Sequence, residues 1–149
     1  MNTSKDLKKE KEAFYSDVIK LLNESNIPYL LGGTYAVMEY TGIQRETKDI
    51  DFFCKSSDYP RILNFMKDKG YDTSVKDERF VAKIQKGKLF ADLIMGSFNS
   101  SAFVDDTWFD HAPSKKFLNN KVRMVSPEDL ILSYLRYMSN HEIYITALI

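Results

Sequence analysis

The sequence has little cysteine, no net charge and no long apolar run, and each absence excludes a class of protein. Cys54 is the only cysteine among 149 residues, so no intrachain disulfide can form. No apolar stretch approaches the roughly 20 residues that a membrane-spanning helix needs. The N-terminal residues are charged, unlike the apolar centre of a secretory signal. These features predict a cytoplasmic protein that does not enter a membrane.

Charge and apolar content narrow the class further. Lysine plus arginine and aspartate plus glutamate number 21 each, so the formal net charge is +0. The total therefore gives no sign of a basic nucleic-acid-binding face, although a local patch is compatible with it. Apolar residues make up 44%, as in globular proteins. We expect residues 1–149 to form a single domain, with 126–149 as a C-terminal helical segment.

Helix and strand signals alternate along the chain. Apolar spacing predicts helices over 5–25, over 34–40 with Thr34 as its cap, from 57 or 58 to Gly70, near 105–111, and from Ser126 onwards. Strand signals cover 27–31, 49–54, 79–85, 89–95 and 121–125. This order predicts a mixed α/β (α+β) domain, in which a small mixed sheet has helices packed mainly on one face.

Two carboxylates, Asp49 and Asp51, flank Ile50 in a predicted strand. Side chains alternate along a strand, so both carboxylates would share one face. Neighbouring carboxylates repel each other unless a cation neutralises them, and Mg²⁺ prefers carboxylate and phosphate oxygens. The competing interpretation is an exposed strand face with two solvated acids, which a pattern this short favours when taken alone.

Two further segments carry candidate site residues. Gly32-Gly33-Thr34 follows a predicted strand and opens a helix. Such a turn can bring backbone N–H groups close to a phosphate, but alone it is more often an ordinary strand-to-helix connection. Asp92 interrupts the apolar run Phe90–Met95. Burying it unpaired would be costly, so it is either half-exposed on its strand or a third carboxylate beside Asp49 and Asp51.

Together these segments resemble the nucleotidyltransferase superfamily built on the DNA polymerase β fold. That family combines a glycine-glycine-serine or -threonine turn, a D-x-D on the next strand and a third acid on a later strand. The stretch RETKDID at 45–51 resembles the form of a small bacterial branch, which includes the AbiEii toxin and the aminoglycoside and lincosamide nucleotidyltransferases. The stretch VRMVSPEDL at 122–130 resembles the segment that follows that branch's catalytic core.

The resemblance implies a reaction and a set of roles. A nucleoside triphosphate such as ATP would give its nucleoside monophosphate group to an acceptor hydroxyl or phosphate, with release of pyrophosphate. Asp49, Asp51 and Asp92 would ligate Mg²⁺, with Mn²⁺ as the other candidate, and Asp92 could also act as a general base. The triphosphate would be held by Gly32, Gly33 and Thr34, and contacted by Arg45 and Lys48 unless these are solvated loop charges.

The resemblance leaves the acceptor and the partners open. The branch usually has a lysine in the helix after SPEDL, where this chain has Arg136. The acceptor could be a small molecule, tRNA or a protein, and a homo-oligomer or a protein partner is compatible with the sequence. One alternative is a catalytically weak nucleotide- or metal-binding protein that acts through a partner, as in a toxin–antitoxin pair. The other is an α/β interaction domain whose acids are incidental.

Overall fold

The structure, a computed structural model, describes residues 3–47, 49–78, 81–96 and 104–138, with the backbone alone over 135–138. The described residues form five helices: α1 Ser4–Ser25, α2 Gly33–Thr41, α3 Tyr59–Asp68, α4 Asp106–His111 and α5 Pro127–Met138. They also form seven strands: β1 Leu30–Gly32, β2 Ile50–Phe53, β3 Asp72–Asp77, β4 Val81–Lys86, β5 Leu89–Ile94, β6 Ser114–Phe117 and β7 Asn120–Arg123.

Five of these strands form a mixed sheet with the order β1-β2-β5-β4-β3. Strands β2 and β5 run parallel, whereas the other neighbours are antiparallel. Strands β6 and β7 form a separate two-stranded hairpin. The predicted fold class, a small mixed sheet with packed helices, is therefore confirmed.

The long helix α1 begins and ends at residues that suit its termini. Thr3 accepts a hydrogen bond from the Asp6 backbone N–H at 3.2 Å, and its own N–H donates to the Asp6 carboxylate, so two otherwise unpaired donors are satisfied. Asn26 ends the helix in the left-handed region, at φ 58°. Between these ends, one apolar face is buried against the rest of the domain, and it consists of Phe14, Tyr15, Val18, Ile19 and Leu22.

Alternation along β2 separates a core face from a polar face. Ile50 and Phe52 are fully buried, whereas Asp51 between them is only partly buried. The same holds on β5, where Ala91 and Leu93 are fully buried and flank Asp92. The polar residues therefore share the face of the sheet that lies opposite the main hydrophobic core.

The sequence analysis missed two strands and misplaced one cap. Strand β3 is mostly exposed and lacks apolar alternation, and β6 lies in a segment, 96–120, that we expected to be mostly loop. Helix α2 begins at Gly33 with Gly32 as its N-cap and no side-chain cap, so the prediction that Thr34 caps it is wrong. Residues 79–80, at the start of one predicted strand, lie outside the described residues.

The last helix begins where the sequence predicts. The Ser126 hydroxyl accepts a hydrogen bond from the Asp129 backbone N–H at 3.1 Å, and Pro127 is the first residue of α5. The rest of the expected helical segment, 139–149, and the Arg136 side chain are outside the description. None of the described helices is long and apolar enough to cross a membrane.

Candidate metal and nucleotide site

Three carboxylates meet on the polar face of the sheet. Asp51 and Asp92 are direct neighbours across the parallel pair β2–β5, and Asp49 lies just before β2. One carboxylate oxygen from each lies within 4.8 Å of the others. A single cation could therefore contact all three side chains, as oxygen-ligated divalent cations do.

The electrostatics of this cluster favour a bound cation. Burial, followed by the charges of Asp49 and Asp92, raises the pKa of Asp51 from its ordinary 3.8 to about 7, although Lys83 opposes the shift. Burial also raises the pKa of Asp92, together with a hydrogen bond and the charge of Asp49. The Asp92 Oδ1 atom is buried without a hydrogen-bond partner. A cation would satisfy this oxygen and remove the repulsion, so these residues fit a divalent metal.

Lys83 also lies beside the carboxylate cluster, and the sequence analysis did not single it out. It lies on β4 directly opposite Asp92, and its Nζ atom is 3.6 Å from Asp92 Oδ1, too far for a hydrogen bond but close enough for an ion pair. The same Nζ lies 3.8 Å from the centroid of the Phe90 ring. Since Lys86 pairs with Leu89 around the turn at Gly87-Lys88, counting back from that turn would have paired Lys83 with Asp92.

The glycine turn lies against the carboxylates, and both glycines are needed there. Gly32 pairs with Asp51 across β1–β2, and Gly33 adopts φ 62°. A Cβ on Gly33 would overlap Asp51 Oδ2 and lie 2.9 Å from Asp51 Cγ, and one on Gly32 would overlap the Phe53 ring. Because α2 begins at Gly33, its first backbone N–H groups lie beside the carboxylates, where a helix favours anions.

The loop that leads to Asp49 is hydrogen-bonded to α1. The Thr47 hydroxyl donates to the Asp49 carbonyl at 3.0 Å, and Lys11 Nζ donates to the Thr47 carbonyl at 3.2 Å. Arg45 is exposed in this loop, and the described residues give its guanidinium no hydrogen bond or ion pair. Lys48 lies outside the described residues. Thr34 is half-buried in the first turn of α2.

Several other residues of chemically versatile types lie in the core or away from the carboxylates. Trp108 stacks on Phe53 with the ring centroids 5.8 Å apart, which is packing within the protein. Cys54 is fully buried. His111 lies 3.6 Å from a buried carboxylate oxygen of Asp129, which joins α4 to α5.

Comparisons with known proteins give a family and a fold. A sequence family described as "uncharacterised nucleotidyltransferase" matches residues 3–147. No curated protein sequence matches the chain. Similar solved structures include the lincosamide antibiotic adenylyltransferase LnuA bound to lincomycin, with a TM-score of 0.58 and 21% identity over 83% of this chain and 84% of that one.

Two other solved structures extend the likeness. The protein ANT(2″)-Ia, in complex with adenylyl-2″-tobramycin, has a TM-score of 0.64 and 16% identity over 89% of this chain and 78% of that one. A candidate nucleotidyltransferase from Thermotoga maritima has a TM-score of 0.69 and 11% identity over 93% of this chain and 91% of that one. At these identities the structures show that the fold is shared.

Proposed function

Since the chain belongs to this nucleotidyltransferase family, we propose that it moves a nucleoside monophosphate group from a nucleoside triphosphate to an acceptor hydroxyl or phosphate and releases pyrophosphate. The observation that carries the proposal is the convergence of Asp49, Asp51 and Asp92 within 4.8 Å of one another, next to the Gly32-Gly33 turn. An interaction domain with incidental acids would have no reason to bring three partly buried carboxylates together, because each raises the cost of ionising the others.

Asp49, Asp51 and Asp92 would hold a divalent cation, Mg²⁺ or Mn²⁺. When bound, the metal would neutralise charge on the phosphate and on the attacking and leaving oxygens. Asp92 has a second role in this proposal, which is to accept the proton of the acceptor hydroxyl as general base. Its raised pKa suits that role, since a general base is most effective when its pKa lies near the working pH.

The glycine turn would hold the triphosphate. Gly32 and Gly33 let the turn pack directly against Phe53 and Asp51, where a Cβ atom would overlap them, and the N-terminus of α2 favours negative charge. Thr34 would add a hydroxyl from the first turn of that helix. Arg45 and Lys48 belong to the loop before β2, and in this proposal their positive charges attract the phosphates.

The acceptor is proposed from the neighbours' printed names. LnuA is an adenylyltransferase seen with lincomycin, and ANT(2″)-Ia is seen with adenylyl-2″-tobramycin. ATP as donor and a hydroxyl-bearing small molecule as acceptor are therefore the first pair to test. Transfer to tRNA or to a protein side chain would place the same chemistry on a larger acceptor.

Two measurements test the proposal. Calorimetry of each triphosphate with and without Mg²⁺ should give binding that depends on the metal. Triphosphates labelled at the α-phosphate, incubated with pools of small molecules, tRNA and proteins, should then give a labelled acceptor. The Asp51→Ala variant should lose transfer, whereas Asp68→Ala, which removes an exposed aspartate at the end of α3, should retain it.

The outcomes separate the alternatives. If no triphosphate binds with metal present, the proposal is wrong. If a triphosphate binds but no acceptor is labelled, and Asp51→Ala abolishes that binding, the chain is a nucleotide-binding protein of the kind that acts through a partner.

A further inference from the structure

A lysine faces the carboxylate cluster from the strand beyond Asp92. Gly32, Asp51, Asp92, Lys83 and Ser74 form one row across β1, β2, β5, β4 and β3, each opposite the next. The side chains of such a row project from the same face of the sheet. Lys83 therefore lies between Asp92 and an uncharged serine, and in the described part of the chain Asp92 is its ion-pair partner.

The strand pairing and the packing around Lys83 hold its side chain in place. Its strand is paired on both sides, with β5 and with β3, and its side chain is only 27% exposed. The Nζ atom lies above the Phe90 ring at 3.8 Å from the centroid, an arrangement in which the ring attracts the cation. The ammonium is thus held beside Asp92 by an ion pair and by a ring contact, and its distance of 3.6 Å from Oδ1 is too long for a hydrogen bond to that oxygen.

Lys83 reduces the net negative charge of the carboxylate cluster. Asp49, Asp51 and Asp92 carry three negative charges when ionised, and Lys83 supplies one positive charge within 3.6 Å of Asp92 Oδ1. The remaining charge matches one divalent cation. Without the lysine, the carboxylates would attract cations more strongly, because a nearby positive charge repels any metal at the same ligands.

We propose that Lys83 is a positioning residue that acts as an internal counter-ion for Asp92. In the absence of nucleotide it keeps the Asp92 side chain in place, and it weakens the affinity of the cluster for divalent cations. The cluster therefore binds a metal only weakly before the triphosphate arrives, and Asp92 is not committed to a tightly bound ion in the absence of nucleotide. This inference rests on the proposed function, because it assigns Lys83 a part in presenting the general base.

The simpler reading is an ion pair that only stabilises the hairpin β4–β5. The two readings give opposite results for metal binding. If Lys83 only stabilises the fold, its removal leaves the metal affinity unchanged or lowers it through disorder. If Lys83 is a counter-ion, its removal raises the metal affinity. Metal binding without nucleotide therefore separates the readings, and it does so without reference to enzymatic activity.

The experiment is a titration of the protein with Mn²⁺ in the absence of nucleotide. Binding is measured by calorimetry and by the decrease of the electron paramagnetic resonance signal of free Mn²⁺. Lys83→Met keeps most of the side-chain volume and removes the charge, and Lys83→Arg keeps the charge. The matched control is Lys86→Met, three residues along the same strand, whose ammonium lies 4.9 Å from the Tyr71 ring. Circular dichroism checks that every variant folds.

We expect Lys83→Met to bind Mn²⁺ about tenfold more tightly than the unaltered protein, and to gain more thermal stability when Mn²⁺ is added. Lys83→Arg and Lys86→Met should bind Mn²⁺ as the unaltered protein does. In transfer assays Lys83→Met should lower kcat while leaving KM for the triphosphate nearly constant, because Asp92 is misplaced but the phosphate contacts remain.

Unchanged or weaker Mn²⁺ binding by a folded Lys83→Met variant would overturn the counter-ion role and leave the proposed function standing. An equal gain in Lys86→Met would overturn it as well, since a general charge effect would then explain the result. Failure of the unaltered protein and Lys83→Met alike to bind Mn²⁺ or a triphosphate would contradict the proposed function itself.

Discussion

Gly33 joins backbone conformation to the chemistry of the site at one residue. It adopts φ 62°, where an L-residue costs about 1–2 kcal/mol, and a Cβ there would overlap the Asp51 carboxylate. We therefore expect Gly33→Ala to lower the free energy of unfolding by more than the backbone cost alone and to abolish Mn²⁺ binding, because Asp51 must move. Denaturant unfolding and calorimetry measure these two effects.

Gly42 offers a matched control for this substitution. It also has a positive φ, 73°, but an added Cβ would meet nothing within 4 Å. Gly42→Ala should therefore cost about 1 kcal/mol of stability and leave Mn²⁺ binding unchanged. Equal effects of the two substitutions on Mn²⁺ binding would show that the overlap with Asp51 is not what requires Gly33.

Individual residues differ in how far the sequence predicts them. Asp49, Asp51 and Asp92 were predicted to lie together because acids are conspicuous in apolar strands and because the set resembles a known family, and the structure brings them within 4.8 Å of one another. Lys83 was missed, because a lysine in a half-exposed strand is unremarkable until the register places it opposite Asp92. A sequence names the candidate, but the distance of 3.6 Å between Nζ and Oδ1 depends on strand order, which local patterns do not give.

At the scale of elements, the loop between α2 and β2 decides where Asp49 lies. The Thr47 hydroxyl donates to the Asp49 carbonyl, and a net hydrogen bond contributes about 1 kcal/mol. We expect Thr47→Val, which keeps the shape of the side chain, to weaken Mn²⁺ binding by about fivefold, as measured by calorimetry. Thr73→Val on β3, the opposite edge of the sheet, is the control, and an equal loss there would contradict a local role for Thr47.

The two strands that the sequence failed to predict, β3 and β6, lack the local signals by which strands are recognised. Strand β3 forms six residues of an edge, with most of its side chains in solvent, so no alternation of apolar residues marks it. The hairpin β6–β7 turns at Leu118 and Asn119, both at positive φ, and Leu118 is not a residue that signals such a turn. By contrast, α1, β2 and β5 bury one face or a central row, and burial leaves a pattern in the sequence.

At the scale of the whole molecule, Asp51 links pH to stability. Its carboxyl has a pKa of about 7 in the folded protein against an ordinary 3.8, so the folded state holds this proton more tightly than the unfolded chain does. The resulting stabilisation is complete below pH 3.8 and is lost as the pH rises to about 7. In thermal unfolding of the metal-free protein, the part of Tm that depends on Asp51 should therefore decrease as the pH rises over that interval.

Two comparisons isolate the contribution of Asp51 from that of the other acids. In Asp51→Asn the group cannot ionise, so the difference in Tm between this variant and the unaltered protein should grow in favour of the variant as the pH rises. Saturating Mg²⁺ should reduce the loss in the unaltered protein, because the metal stabilises the ionised carboxylates. A constant difference in Tm across the interval would contradict the assignment.

The two edges of the sheet differ in what they offer to another chain. Along β1, the segment after β7 already occupies the free edge, since Leu31 bridges to Met124 and accepts a hydrogen bond from the Val125 N–H at 2.9 Å. At the other end, β3 carries Asp72, Lys76 and Asp77 and is irregular between Val75 and Asp77. Charge and irregularity both discourage strand addition. The face that carries the three carboxylates is therefore built on a sheet that resists edge-to-edge aggregation, which favours handling at the high concentrations that structural and calorimetric work requires.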